Sequence, residues 1–511
     1  MRLQQCHTIR ISLHATVTAC MLLLSACSTI DFEQPRSASQ HVPASQSTQL
    51  GQLSDALTGD SDKNAFLPLA DGLAAFGARL RLIEAAEQTI DMQYFLMKGD
   101  TAGEIIAGKL LEAADRGVRV RILLDDVFTT VKDHELAIIA KHPNAEVRLY
   151  NPVSRRGFYY MNYFADFKRA NRRMHSKSFT VDGAASIVGG RNIADEYFQL
   201  KTKARFLDFD ILVLGPVVSD VAKQFDSFWN DQRAIPIELI DQKFDEDELE
   251  RAAREIEEEL RNSASSRYAA AVDANYMREL ISGSGGLYFA EASLISDTPE
   301  KLANPVGEDY MNVVMSLTEL ARESTDEIVI INPYFIPQEV GMNFWEERRN
   351  EGIKLTIVTN SLASNNHTPV HSAYTRYRKD LIDLGAYLYE TRVNAVSEDG
   401  EAEALTLHTK LIVLDKRYLF VGSLNLDPRS TEINAEMGLL IDSPKMAQKV
   451  DELLYTDLQT HVYRLQLNEK KQLRWIARID GNETIYTKEP ETSLWKRFLS
   501  KFYRVLPESQ L

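Results

Sequence analysis

The sequence predicts an α/β protein of two similar domains that pack about a pseudo-twofold axis and share one site. Three observations predict this fold. The 511-residue chain is 44% hydrophobic and 26% charged, which is typical of a folded globular protein. A strand–helix–strand pattern occurs once in each half of the chain. A set of polar residues and glycine then follows each copy of this pattern at the same spacing.

Each half begins with a predicted strand, an amphipathic helix and a second strand. These elements are predicted over Thr89–Phe95, Gly103–Arg116 and Val118–Leu124, and again over Glu327–Phe335, Glu339–Asn350 and Ile353–Val358. Gly117 and Gly352 directly follow the helices, where a glycine favours helix termination. Strand–helix–strand order implies parallel strands with right-handed crossovers. We therefore expect α/β domains over residues 65–235 and 285–475.

Two short segments carry the same residues after a further helix and strand in each half. They are His175, Lys177, Asp182, Gly189 and Asn192 in the first copy, and His408, Lys410, Asp415, Gly422 and Asn425 in the second. In both, Lys follows His by two positions, Asp follows Lys by five, and Gly and Asn follow Asp by seven and ten. A buried strand with a stray histidine explains one copy. It does not explain a second copy within a duplicated scaffold.

The residue types of these segments suit phosphodiester chemistry. Side chains two positions apart in a strand share a face, so each histidine projects with its lysine. If the halves pack about a twofold axis, two imidazoles and two ammonium groups meet in one pocket. Lysine is a poor metal ligand, so this set favours an anion over a metal. The lysines, with Asn192 and Asn425, can hold a phosphate while one imidazole attacks phosphorus and the other protonates the departing oxygen. No metal or cofactor is required.

The paired His-x-Lys-x4-Asp motif resembles that of the phospholipase D superfamily, and both copies match it without departure. The segments 171–183 and 188–193 resemble the bacterial cardiolipin synthase branch, the C type in particular. This resemblance covers nearly all of the chain after residue 64. It implies two phospholipase D-like α/β domains with one shared active site. It also implies a phosphatidyltransferase that forms cardiolipin from phosphatidylglycerol and a donor phospholipid, with phosphatidylethanolamine as one candidate, through a phosphohistidine intermediate.

The resemblance also assigns roles within the motifs. His175 would be the nucleophile and His408 the general acid. Asp182 and Asp415 belong to the catalytic motifs but would serve the fold of the site.

The carboxylates that orient the histidines would, by the same resemblance, be Asp208 and Glu436. They lie just before the apolar runs 211–213 and 438–440. Asp210 competes with Asp208, and the sequence leaves that choice open.

The motif leaves the acceptor of the phosphatidyl group undecided. Hydrolysis and transfer share the covalent intermediate, so a phospholipase D-type hydrolase or a nuclease of the superfamily is an alternative. A non-catalytic envelope lipoprotein is a third, and loss of a motif residue would favour it, but none is lost. The formal net charge of −16 disfavours nucleic acid as a partner.

Residues 1–26 predict a lipoprotein signal peptide, with a positively charged start and an apolar stretch too short for a comfortable transmembrane helix. Leu24–Cys27 resembles a lipobox, so we expect Cys27 to carry the lipid. An ordinary signal cleavage site is the alternative. The resulting location is the bacterial cell envelope, anchored to the outer membrane or to the inner membrane facing the periplasm. Ser28, by resemblance to the sorting rule of such lipoproteins, favours the outer membrane.

Three further segments lie outside the predicted domains. Residues 27–64 are rich in Ser, Gln, Thr and Pro and predict a flexible tether. Residues 236–284 predict a charged helical connector, and 476–511 a tail with a basic amphipathic helix over Ser493–Leu506. This last helix suits a membrane surface, and docking on the body is the alternative.

Two weaker patterns remain. His367 and His371 have the spacing of a zinc pair, but Pro369 interrupts their helix, so we expect them to line the pocket mouth. The cations of 168–173 and the aromatic residues of 158–167 indicate a rim that meets lipid. A solvated loop is the alternative, and the same composition suits a single strand of nucleic acid.

Overall fold

The computed structural model describes most of the chain after the predicted signal peptide. The described residues are 30–59, 61–155, 159–200, 204–240, 286–396, 402–479 and 482–505, with 247, 251, 254–256, 258 and 508. The predicted signal peptide, Cys27 and most of the predicted connector 236–284 lie outside them. Their assignments stay predictions.

The first half contains nine strands and eight helices among the described residues. The strands are β1 (Asn64–Leu69), β2 (Thr89–Tyr94), β3 (Arg119–Asp125), β4 (Ala145–Tyr150), β5 (Ser178–Val181), β6 (Ala185–Gly189), β7 (Ala204–Leu207), β8 (Asp210–Leu214) and β9 (Ala234–Pro236). The helices are α1 (Gln49–Thr58), α2 (Gly72–Ala85), α3 (Thr101–Asp115), α4 (Asp133–Ala140), α5 (Tyr159–Ala165), α6 (Phe167–Ala170), α7 (Asp195–Phe198) and α8 (Val217–Trp229).

The second half repeats this order and ends in an extra hairpin and a helix. Its strands are β10 (Tyr288–Ser296), β11 (Glu327–Ile331), β12 (Lys354–Asn360), β13 (Tyr387–Thr391), β14 (Asn394–Val396), β15 (Ala402–Leu407), β16 (Leu411–Leu414), β17 (Tyr418–Gly422), β18 (Met437–Asp442), β19 (Val462–Leu467), β20 (Leu473–Ile479) and β21 (Asn482–Tyr486). Its helices are α9 (Pro299–Ala303), α10 (Asn312–Glu323), α11 (Gln338–Asn350), α12 (Thr368–Tyr374), α13 (Arg378–Asp383), α14 (Pro444–Thr460) and α15 (Leu494–Tyr503).

One continuous sheet of 18 strands joins the two halves. Its order is β9-β4-β3-β2-β5-β6-β8-β1-β10-β18-β17-β16-β11-β12-β13-β19-β20-β21. The order reads alike outward from the central antiparallel pair β1–β10, in which Asn64 lies opposite Ala290. In each half three strands are parallel, and the strands between them and the centre are antiparallel. The predicted fold of two similar α/β domains about a pseudo-twofold axis is confirmed.

Separate hydrophobic cores lie in the two halves, and a third core joins them. Helices α2 and α3 pack residues such as Leu80 and Ile106 against the buried strands of the first half. The joining core combines Ile211 and Val213 of β8 with Leu419 and others of the second half. Strands that are covered on both faces read as continuous apolar runs, as these do. The two halves therefore share a hydrophobic core and pack as one body rather than as two separate domains joined by a linker.

The segment predicted to be a flexible tether differs from that prediction over residues 30–59. Arg148 donates to the Ser37 carbonyl at 2.7 Å, and Arg121 donates to the Ser39 carbonyl at 3.1 Å. Both arginines are buried, and their donors need acceptors. The segment meets this need with backbone carbonyl groups. Such contacts do not require periodic apolar side chains, so the sequence contains no pattern that predicts them. Helix α1 then follows with Thr48 as its cap.

Helix α15 docks on the body through polar side chains. Ser372 donates to the Ser500 hydroxyl at 3.2 Å, and Lys496 donates to the Ala363 carbonyl at 3.1 Å. Arg504 donates to Thr375 at 2.8 Å. The docked alternative is therefore what the structure shows, although the apolar face of the helix stays exposed. No helix among the described residues has the length and apolar character that crossing a membrane requires.

The two motif aspartates tie the sheet together at matching places. Asp182 accepts hydrogen bonds from the backbone N–H groups of Gln88 and Thr89 at 2.8 and 2.9 Å, where β2 begins. Asp415 accepts from those of Asp326 and Glu327 at 2.9 and 3.0 Å, where β11 begins. Each aspartate thus fixes the turn after its motif strand to the start of the neighbouring strand, β2 in the first half and β11 in the second.

We expect Asp182→Ala and Asp415→Ala each to lower the free energy of unfolding by about 3 kcal/mol, because several backbone N–H groups lose a charged acceptor. Denaturant midpoints measure the loss. Asp383→Ala is the control, since that aspartate forms an exposed pair with Lys471 and should cost less than about 1 kcal/mol. Equal losses in all three variants would contradict this role.

Candidate active site

The histidine and lysine of each motif lie just before a strand. Strand β5 begins at Ser178, and strand β16 begins at Leu411. Both segments pair with the opposite half. The backbone N–H of His175 donates to the Ala435 carbonyl at 2.8 Å, and that of His408 donates to the Leu207 carbonyl at 2.7 Å. The halves therefore meet at the motifs themselves.

Each histidine contacts a carboxylate that the other half provides. Nδ1 of His175 lies 2.8 Å from Oε2 of Glu436, and Nδ1 of His408 lies 2.6 Å from Oδ2 of Asp208. Asp210 instead accepts from the buried Arg79 at 2.8 Å. The structure thus places Asp208, and not its competitor, at the imidazole. A carboxylate on Nδ1 fixes the tautomer and orients Nε2 for reaction, and Nε2 of His408 lies 3.1 Å from Nζ of Lys410.

Gly189 and Gly190 after the first motif strand let the carboxylates of Asp210 and Asp208 approach the backbone closely. A Cβ atom on Gly190 would lie 2.2 Å from Oδ1 of Asp208, and one on Gly189 would lie 2.2 Å from Oδ1 of Asp210. Real side chains do not tolerate such distances. The glycines of the repeated pattern are therefore needed for close packing rather than for a turn.

The motif lysines are buried and poorly neutralised. Burial lowers the pKa of Lys177 to about 7 and that of Lys410 to about 8, although Glu436 and Asp208 oppose the change. Lys177 donates to the His175 carbonyl at 2.6 Å, and Lys410 donates to the His408 carbonyl. A bound anion would compensate these charges.

Both imidazoles are neutral in this environment. Burial, then the charges of Lys177 and Lys410, holds the pKa of His175 well below its usual value. Burial and Lys410 lower the pKa of His408 to about 3. Since each lysine acts on the histidine of the other motif, the two motifs form one site.

The two carboxyl groups that orient the histidines differ in the direction of their pKa shifts. Burial raises the pKa of Glu436 to about 7. Burial also raises that of Asp208, but the interaction with His408 and the charge of Lys410 outweigh it, and the net change is a lowered pKa. The site is symmetric in geometry and unequal in charge.

Both motif asparagines hold an unpaired amide oxygen within the described structure. Oδ1 of Asn192 and Oδ1 of Asn425 are buried without a hydrogen-bond partner there. The Asn192 amide nitrogen donates to the Tyr197 hydroxyl at 3.0 Å. Buried polar atoms normally have partners, so this pattern is typical of a ligand site. A half-turn of either amide would aim its N–H groups at an anion.

Aromatic rings lie around both histidines, and comparing the two motif copies in the sequence did not predict them. The ring of Phe95 lies 4.5 Å from that of His175, edge to face. Tyr197 and Phe206 lie 5.1 and 5.4 Å from His408. These rings cover the imidazoles and limit access of water. The aromatic residues do not recur at equal spacing after the two motifs, so the repeat gave no signal for them.

The histidine pair 367/371 does not form the expected mouth. His371 is buried, and its Nε2 lies 2.8 Å from a nitrogen of Arg378, which corrects that prediction. His367 is exposed beside the ring of Tyr334. Within the described ranges, no group of three or more His, Cys, Asp or Glu side chains is arranged to hold a metal.

The predicted cationic rim before His175 is corrected in part, because Lys168 is exposed whereas Arg173 is buried. Arg173 forms a fully buried ion pair with Asp125 at 3.1 Å, and Arg172 donates to the Lys301 carbonyl at 2.9 Å. These guanidinium groups hold the fold together instead of facing solvent. The aromatic part of the rim is exposed, with Tyr160 at 75% and Phe164 at 66%.

Comparisons with known proteins agree with this geometry. The family model described as "Cardiolipin synthase, PLD-like domain" matches residues 80–229 and 317–458. Cardiolipin synthase C of Escherichia coli (strain K12) is 38% identical over 86% of this chain and 94% of that protein. An uncharacterized protein of Helicobacter pylori (strain ATCC 700392 / 26695) is 32% identical over 96% of this chain and 98% of its own.

A solved structure shares the fold. The phosphatidylserine synthase of Haemophilus influenzae Rd KW20 superposes with a TM-score of 0.53 at 15% identity, covering 82% of this chain and 92% of that one. Each segment matched by the family model contains one motif copy and the carboxylate that orients the histidine of the other copy. The chain belongs to the phospholipase D superfamily, within its cardiolipin synthase family, and is a phosphatidyltransferase of phospholipid synthesis.

Proposed function

We propose that this enzyme forms cardiolipin by moving a phosphatidyl group from a donor phospholipid to phosphatidylglycerol. The donor is phosphatidylglycerol or phosphatidylethanolamine. The observation that carries the proposal is the pair of histidines, each held by a carboxylate of the opposite half, around two buried lysines. The name of the Escherichia coli relative supports cardiolipin as the product.

The first step transfers the phosphatidyl group to His175. Nε2 forms a bond to phosphorus while the bond from phosphorus to the headgroup oxygen breaks. His408 gives a proton to that departing oxygen. The negative charge of the bound phosphate raises the pKa of the nearby imidazole, so His408 carries its proton once substrate is present. Lys177 and Lys410 neutralise the charge on the phosphoryl oxygens.

The second step transfers the group from His175 to the acceptor. A glycerol hydroxyl of phosphatidylglycerol attacks phosphorus, His408 takes its proton, and the phosphorus–nitrogen bond breaks. Water in that place would give phosphatidic acid instead. His175 is 6% exposed, His408 is 8% exposed, and aromatic rings pack on both. This enclosure favours a lipid hydroxyl over bulk water.

A membrane surface is the proposed partner, and helix α15 supports it. The helix docks by its polar side and exposes Trp495 at 65%, Phe498 at 56% and Phe502 at 59%. Segment 493–506 carries four cations and no acid. Such a face suits the interface of a bilayer with anionic lipid.

The docked helix lies close to the active site. The Lys496 ammonium contacts the loop that follows β12, and Asn360 of β12 donates to the Leu407 carbonyl at 2.8 Å, next to His408. We propose that a membrane against α15 lies on the side of the molecule that holds the reacting group. Cys27 is proposed to add a lipid anchor in the cell envelope, at the outer membrane or at the inner membrane facing the periplasm.

The product assay tests the function itself. We expect the full chain with vesicles of phosphatidylglycerol and phosphatidylethanolamine to produce cardiolipin, detected by mass spectrometry, with or without EDTA. His175→Ala is the inactive control. Phosphatidic acid as the sole product would identify a hydrolase, and no product from the wild type would favour a non-catalytic lipoprotein. Loss of activity in EDTA, restored by zinc, would contradict the two-lysine mechanism.

The roles of the histidines can be separated by trapping. We expect both His175→Ala and His408→Ala to lose turnover by roughly 10²- to 10⁴-fold. With an activated phosphodiester whose leaving group needs no proton, His408→Ala should still form the covalent intermediate. His175→Ala should not. Peptide mapping locates the label, and label on His408 would reverse the assignment.

The lysine pKa values predict a pH dependence. Both lysines bind phosphate as cations, which exist below their pKa values of about 7 and about 8. We expect kcat/KM to fall as pH rises through 7 to 8, while kcat falls only at higher pH because bound phosphate raises both pKa values. Lys177→Arg, which stays charged, should move the fall in kcat/KM upward. A kcat/KM that is constant up to about pH 9 would contradict buried, weakly basic lysines.

Membrane attachment has two separable parts. We expect Cys27→Ala to be released from membranes by a salt wash that leaves the wild type bound, since acyl chains supply about 0.8 kcal/mol per buried CH₂. Adding Trp495→Ser and Phe498→Ser should abolish the remaining binding to vesicles at low salt. Ile485→Ser, an exposed residue of β21, is the matched control. Binding unchanged by the double substitution would exclude α15 as the contact.

A further inference from the structure

The second domain contains an apolar cavity of about 690 Å³ that the reaction does not use. It lies between helices α10 and α11 and the strands β11 and β16. Its lining includes Leu317, Ile330, Phe335, Trp345, Leu424 and Leu426. The volume falls within the usual range of ligand sites, roughly 300–1,000 Å³.

The cavity is buried and apolar at its base, and at its opening exposed valines lie beside the polar side chains of Asn343 and Glu347. Ile330 and Phe335 are each 1% exposed, whereas Val306 is 51% and Val340 is 80% exposed. Arg322 is an exposed cation among the lining residues. A polar ligand would lose its hydrogen bonds to water here and find few replacements, so the chemistry favours a hydrocarbon chain.

One segment of chain separates this cavity from the active site. Leu424 and Leu426 line the cavity, and between them lies Asn425 of the second motif. Asn332 holds the segment straight by donating to the Leu424 carbonyl at 3.0 Å and accepting from the Leu426 N–H at 3.1 Å. Neighbouring side chains of an extended segment point to opposite faces. The wall is therefore apolar toward the cavity and polar toward the reacting phosphate.

The same segment returns to the cavity further on. Asp427 raises the pKa of Lys410, and Arg429 lowers that of His175. Thr431 and Glu432 then line the cavity again. A ligand in the cavity thus touches the chain that carries three groups of the active site.

We propose that this cavity binds one acyl chain of a phospholipid beside the active site. The inference rests on the proposed function for the class of ligand. The exposed side chains of Val306 and Val340 provide apolar contacts at the opening, where the acyl chain would enter. A chain bound there contacts Leu424 and Leu426, on either side of Asn425 in the wall of the active site.

Photolabelling tests the site without requiring catalysis. The full chain is mixed with vesicles containing a phosphatidylcholine that carries a photoreactive group near the end of one acyl chain. After illumination, peptide mapping should find label within 306–347 and 424–432. The His175→Ala variant should label equally, because binding precedes chemistry.

Variants that fill the cavity provide the comparison. Ala321→Trp places an indole within the cavity, and Thr318→Trp does so from a half-buried position that disturbs the core less. Both should lose most of the label. Met315→Trp, on the same helix but 42% exposed and outside the lining, should keep it. Unfolding midpoints establish which variants are folded.

The outcomes distinguish this inference from the proposed function. Absence of label from both segments in the wild type with phosphatidylcholine and also with phosphatidylglycerol, or equal labelling of a folded filled variant, would overturn the acyl-chain site. Label with intact wild type that makes no cardiolipin would support the site and overturn only the proposed reaction. Label from phosphatidylglycerol alone, with none from phosphatidylcholine, would support the site as a pocket for a substrate chain.

Discussion

The exchange of carboxylates between the halves is the interaction on which the site depends. Glu436 holds His175 and Asp208 holds His408, so neither half contains a complete catalytic group. The backbone repeats the exchange, since each motif segment pairs with the segment that leads to the opposite carboxylate. The shared core and the pair β1–β10 keep the two halves in register. Motions that separate the halves would therefore abolish catalysis before they unfold either domain.

Burial gives this arrangement its affinity for an anion. Lys177 and Lys410 lie almost entirely out of water, at 1% exposure each, and a phosphate is the group that best compensates them. Their lowered pKa values are the cost of holding two cations in one enclosed space. The same enclosure keeps both imidazoles neutral until substrate arrives. The affinity for an anion, the lowered pKa values of the imidazoles and the exclusion of water thus all follow from burial of the site.

Much of the fold and of the active site was predictable from the sequence because the motif occurs twice. The repeat marked His175 and His408 with their lysines, and it implied the duplicated fold. Choosing Asp208 over Asp210 required the structure, since two residues so near in sequence differ only in whether a histidine or Arg79 lies within reach. The packed segment 30–59 could not be predicted, because backbone carbonyls leave no pattern of side chains. The apolar cavity draws on several distant segments, and no local periodicity records such a set.

The unequal carboxylates give a nearly symmetric site a direction. Glu436 holds its proton up to a pH of about 7, whereas the pKa of Asp208 is lowered. A phosphodiester has two ester oxygens of similar reactivity, and a twofold arrangement of equal groups would cleave either. One histidine thus lies beside a carboxyl group whose pKa is raised, and the other lies beside one whose pKa is lowered. The duplicated geometry therefore contains two electrostatically different halves.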